Sequence, residues 1–257
     1  MATLAGRAGM SGEHKLFLGM AVAMTISVVA GFSLQIARGF SSFHAPLLVH
    51  VHGISFMGWT FFYLLQNVLA TTGSVAMHKR LGWFGLVLGS WLMVIGTWIT
   101  VVSTQNMRAP FFFEPAFFLI MNPMSVLTFG VLLYAAVFLR RRSDWHRRLM
   151  LCGMAILTGP AWGRLLPMPL FIPYAAWAVF VPVMLYPIIA ALIERRMKGY
   201  VHPAWLVGMA AIVVMQCAIP LISYSPIGPA IYRAATAGTP AAALDPLAFP
   251  PSPFSPH

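Results

Sequence analysis

Acid is what this sequence has least of. Five Asp and Glu residues stand against sixteen Lys and Arg, a formal net charge of +11 over 257 residues. Charges of either sign make up 8% of the chain, about a third of the share in soluble domains. With 60% apolar residues, a soluble globule of this composition would aggregate. A soluble enzyme, a disordered chain and a nucleic-acid binder are thereby excluded. Cysteine is scarce as well. Cys152 and Cys217 both sit in apolar runs, at different depths of the topology derived below, so no disulfide is expected. CxxC and CxxCH are absent, which removes thioredoxin-like chemistry and covalent c-type haem.

What the chain does have is apolar length. A span needs about 20 residues to cross the hydrocarbon core. Seven stretches qualify: 16–37, 46–70, 81–104, 115–139, 149–166, 171–193 and 203–224. The first is too long for a signal-peptide core and lacks a small-x-small cleavage site after it, so it is expected to stay as an anchor. The fold class expected is all-α: a polytopic membrane helix bundle, seven transmembrane helices occupying residues 1–225. Twelve of the sixteen basic residues fall on one side of this topology, at the N-terminus and in the loops after spans two, four and six. Only Arg38, Arg108, Arg164 and Arg233 fall on the other. The positive-inside rule then puts the N-terminus in the cytoplasm and the C-terminus outside. Residues 226–257, rich in proline and alanine, are expected to form an extended exterior tail, disordered or laid along a partner.

Two cytoplasmic loops end alike, in His78-Lys-Arg-Leu-Gly and His146-Arg-Arg-Leu-Met, 68 residues apart. They suggest that spans two–three and four–five are related hairpins, with a binding site at the repeat interface. The alternative is that basic residues simply snorkel to headgroups. A weaker third instance is His202.

Span two carries the densest polar pattern. At helical spacing His52, Ser55, Trp59, Tyr63 and Gln66 share one stripe, which lipid tolerates poorly and which should face the bundle interior. Read functionally, it is the wall of a site for a flat cofactor, haem b or a quinone. Read structurally, it is a hydrogen-bonded helix seam. In span three, Gly82, Gly85, Gly89 and Gly96 allow close helix approach, while Trp83, Trp91 and Trp98 face outward. Asn122 and Ser125 share a face of span four, where the amide is expected to bond across helices. Glu114 opens that span as a proton acceptor, a partner for Arg108 or Arg164, or a plain helix-entrance residue. Arg164 at the end of span five either clamps a carboxylate or snorkels outward. The candidate cofactor residues are therefore His52, Trp59, Tyr63, Gln66, His78, His146 and Arg164, with His52, His78 and His146 as candidate metal ligands.

The run from His50-Val-His-Gly through Trp59, Gln66 and His78-Lys-Arg-Leu-Gly, with Asp-Trp-His146-Arg-Arg, resembles a family of uncharacterised bacterial multi-pass inner-membrane proteins. The resemblance covers spans one to five and implies a bacterial inner-membrane location, without an activity. A looser likeness is to membrane b-type cytochromes, where histidines on facing helices ligate haem. The chain departs from that pattern on the outer side, where no histidine stands opposite span two; only His78 and His146 can pair. Span seven lacks the lysine of a rhodopsin, and no P-loop, GxSxG or HExxH occurs. Two functions follow as expectations. One is a redox-linked protein of electron transport. The other is a non-catalytic subunit or assembly factor of a larger membrane complex.

Overall fold

The structure, a computed structural model, describes residues 12–40 and 44–251. Among these the chain is helical and contains no strand. The helices are α1 Gly12–Ala37, α2 Leu47–Thr71, α3 Val75–Gln105, α4 Pro115–Phe138, α5 Ser143–Leu157, α6 Gly159–Leu165, α7 Ala175–Lys198, α8 Pro203–Ser223 and α9 Ile227–Thr236. Short 3-10 turns at Met168–Phe171 and Pro240–Ala243 complete the order. Six helices, α1–α4, α7 and α8, are long and apolar enough to cross a membrane.

The fifth expected span falls on α5 and α6 together. Thr158 separates them, where Gly159 and Pro160 follow and Pro160 has no N–H to give the ladder. Neither piece alone reaches spanning length. Its longer piece, α5, is nevertheless central to the bundle. Arg148, Leu149 and every residue from Leu151 to Leu157 are buried, as expected of a helix apolar on all sides. It packs against α4, α8, α7, α1 and α6. The approach to α8 is close: a Cβ on Gly208 would lie 2.4 Å from Cys152 Sγ.

The glycine stripe of α3 does bring neighbours in. Positions 85, 89 and 96 meet Phe62, Leu133 and Val126, whereas Gly82 opens onto a cavity. Trp83, Trp91 and Trp98 point outward. Lys198, Arg147 and Arg148 reach Glu13, so the starts of α1 and α5 and the end of α7 share one end of the bundle, here the basic end.

The disorder expected of the tail is corrected for residues 227–251. From Ile227 to Pro251 the segment folds back over the far end of α3 and α4. Gln105 Nε2 donates to Ala235 O at 2.8 Å, Tyr232 Oη donates to Ala241 O at 2.8 Å, and Ala116 N donates to Pro246 O at 2.9 Å. Docking buries Tyr232 and Ala241 against Ala116 and Leu119. Low apolar content argues against independent folding; it does not prevent packing on a preformed surface. Residues 252–257 lie outside the described residues.

Candidate functional site

Two cavities stand end to end along α2. Trp59, Tyr63 and Gln66 line one, at the basic end, while His52, Phe56 and Thr60 line the other, at the far end. The stripe read from the sequence is thus divided between two sites. Ser55 belongs to neither: it accepts from Trp91 Nε1 at 2.9 Å, a seam to α3.

The basic-end cavity has a volume of about 840 Å³. His78 near the start of α3 and His146 near the start of α5 both line it. Each ring is held by the helix before it. His78 Nδ1 lies 3.3 Å from Gln66 O and His146 Nδ1 lies 2.8 Å from Ala136 O. A carbonyl only accepts, so both rings carry the proton on Nδ1 and keep Nε2 as a lone-pair donor when neutral. The repeated sequence motif therefore encodes a repeated geometry, a histidine back-bonded across its own hairpin. The ring centres are 6.2 Å apart with planes at 85°. Around them stand Trp59, Phe62, Tyr63 and Trp83, and Lys79, Arg140, Arg141 and Arg147 supply positive charge. Trp59 Nε1 and Gln66 Oε1 are buried with no partner, a costly state that a ligand or water relieves.

His202 departs from the pattern. Its Nδ1 accepts from Ala204 N at 3.1 Å, capping α8, and Nε2 donates to Asp144 at 2.8 Å. It closes the helix end and lines neither of the two cavities.

Beside the basic-end cavity lies a buried ion cluster that the sequence reading missed. Arg148, 0% exposed, donates through Nη2 and Nε to Glu194, 1% exposed, and Trp205 Nε1 donates to the same carboxylate. Glu13 accepts from Arg147 at 2.8 Å and pairs with Lys198. Arg148 had been counted only as a loop charge. The signal available was Glu194, an acid at the end of an apolar span with Lys198 four residues on. His14 was also missed as a lining residue of this cavity. His14-Lys15-Leu16 is one basic residue shorter than the His-basic-basic-Leu starts at His78 and His146.

The far-end cavity is about 470 Å³, with mostly apolar and aromatic walls. His52 and Arg164 line it, as do Asn122 and Ser125. The cross-helix bond expected of Asn122 is absent: its Nδ2 donates to Phe118 O and Ser125 donates to Met121 O, both within α4. Glu114 pairs with neither arginine. Its carboxylate accepts from Tyr224 Oη at 3.2 and 3.3 Å. Burial holds the Glu114 carboxyl above the usual value, partly offset by its own backbone and by Tyr224. Burial, then the Glu114 charge, pushes the Tyr224 hydroxyl up to about 12.

The three candidate metal ligands do not assemble. His52 lines a different cavity from His78 and His146, and among the described residues no group of three His, Cys, Asp or Glu is placed to hold a metal ion. A two-histidine site is what the geometry offers. Comparison with protein-family models, curated proteins and solved structures finds no match for the chain.

Proposed function

We propose that the chain is a redox-linked, multi-pass protein of the bacterial inner membrane, holding haem b in the basic-end cavity between His78 and His146. In this reading α5 and α6 together make a seventh crossing, and the basic end faces the cytoplasm. The observation that carries the haem assignment is the pair of back-bonded imidazoles, 6.2 Å between centres. His78 and His146 would hold the iron through their Nε2 atoms, which the back-bonding of Nδ1 leaves as lone-pair donors. Haem also presents a flat apolar face and two carboxylates. The aromatic walls suit the first, and Lys79, Arg140 and Arg141 suit the second.

Bound haem supplies one-electron chemistry at its iron. The chain's own residues hold and orient it. Gln66 O and Ala136 O fix the tautomer and the ring planes, a support that second-shell carbonyls commonly give to ligating histidine. Trp59 and Tyr63, both buried, close the cavity toward the middle of the bundle.

The test is a reduced-minus-oxidised absorption spectrum of detergent-purified protein made with ample haem supply, with iron analysis on the same sample. Sharp visible bands with about one iron per chain are expected. His78→Ala and His146→Ala should each abolish the bands, and His52→Ala should keep them. A colourless, iron-free wild type rules the haem reading out.

A further inference from the structure

The far-end cavity has a different chemistry and is independent of whatever fills the basic end. Three of its polar nitrogens are buried without a partner: His52 Nδ1, Arg164 Nε and Gln216 Nε2. They come from α2, α6 and α8, so three separate helices aim them at one space. Two of the three can only donate. Three hydroxyls on the same wall, Thr60, Thr100 and Ser125, are spent on carbonyls of their own helices.

Charge makes the demand specific. Arg164 packs over the Phe32 ring at 4.3 Å and gives Nη1 to Pro160 O at 2.7 Å. It makes no ion pair among the described residues, and no acidic residue lines the cavity. Of the carboxylates at this end of α4, Glu114 is engaged by Tyr224 and Asp245 accepts from Leu247 N, and neither lines the cavity. Arg108, exposed at the same wall, adds a second positive charge. Arg164 is half-buried, but its Nε is buried without a partner or an anion, which is costly, and the Nε edge is the side that carboxylates and phosphates take. The rest of the wall is Phe56, Phe112, Phe118, Phe180 and aliphatic side chains, which favours a ligand with an apolar body.

We infer that the far-end cavity is a binding site for an amphiphile with an anionic head and an apolar chain, its head on Arg164 and Gln216 with His52 alongside. A free fatty acid and an anionic phospholipid share that chemistry. A neutral quinone does not, since it leaves both arginines without a counter-ion.

The experiment uses delipidated full-length protein in uncharged detergent and radiolabelled oleate as the probe. Unlabelled oleate, phosphatidylglycerol, oleyl alcohol and a short-chain ubiquinone compete. Oleate is expected to displace the probe roughly tenfold to a hundredfold better than oleyl alcohol, the range of a charge-assisted hydrogen bond. Arg164→Gln should bring the two competitors together, and Gln216→Leu should weaken oleate with the alcohol unchanged. Displacement by phosphatidylglycerol identifies a membrane lipid as the source; its failure identifies a free fatty acid. Equal displacement by oleate and oleyl alcohol in the wild type overturns the inference, as does stronger displacement by the ubiquinone. The wild-type comparison stands even where Arg164→Gln does not fold.

Discussion

Arg148 and Glu194 are buried together at the basic end, and Trp205 Nε1 and Lys198 Nζ, the latter at 3.2 Å, also reach the carboxylate. Removing one member leaves the other charged and unsolvated, which costs about 3–5 kcal/mol. Glu194→Gln and Arg148→Met should each lower stability by that order, whereas the double change should cost much less than their sum. Unfolding in mixed detergent, read as a double-mutant cycle, measures the coupling. Gly208 offers a second residue-scale test. Its Cβ position overlaps Cys152, so Gly208→Ala should cost about 1–3 kcal/mol by overpacking. Cys152→Ala in the same chain should recover part of that loss. Glu114 gives a pH test. Its carboxyl is raised by burial, so the native state holds the proton more tightly than the unfolded chain. Its contribution is full in acid and is lost as pH rises from the ordinary value of 4.5 through the raised one. The thermal midpoint of Glu114→Gln, followed across that range, should lack the decline that this group gives the wild type.

At the scale of elements, much of the bundle was legible because a membrane span is a one-dimensional signal: apolar length between charges. The boundaries of α2, α4 and α8 follow from it directly, whereas α3 begins at Val75, ahead of the apolar stretch and through the charged Lys79 and Arg80. The division of α5 from α6 was foreshadowed by Pro160, but the central place of α5 was not. A helix that is apolar all round looks the same from the sequence whether lipid or protein surrounds it. The tail misled for a related reason. Its composition describes an isolated chain, while its order comes from docking on α3 and α4. Tyr232→Ala should therefore cost about 3–5 kcal/mol and open the stretch beyond Thr236 to protease. Protection of that stretch equal to wild type would show that Tyr232 does not anchor it. The histidine repeat was visible as a pattern, yet its bonds to Gln66 O and Ala136 O depend on how each hairpin closes, which spacing does not contain.

For the whole molecule, the division into two cavities matters most. Helical periodicity put His52 and Gln66 on one face, and so they are, but 14 residues along a helix is about 21 Å. Packing at Trp59 closes the space between them, its ring edge-on to Phe129 at 5.2 Å. One candidate site thus became two, each with its own charge and shape. A test at this scale compares His146→Ala with His52→Ala. The first should abolish haem absorbance and leave oleate binding within about twofold of wild type, because sites this far apart with no shared partners act independently. The second should do the reverse. Loss of both properties in either variant would mean that the cavities communicate.

The ion cluster also has an order in time. A ribosome makes Glu13 first, Arg147 and Arg148 next, and Glu194 and Lys198 last. At 5–20 residues per second, the 46 residues from Arg148 to Glu194 take roughly 2–9 s. During that wait Glu13 is the only carboxylate of the cluster yet made, so α1 holds the arginines at the basic end until α7 arrives to bury one of them. A chain halted before α7 is left with Arg148 paired only to Glu13, without the buried carboxylate that it meets at closer range in the complete bundle.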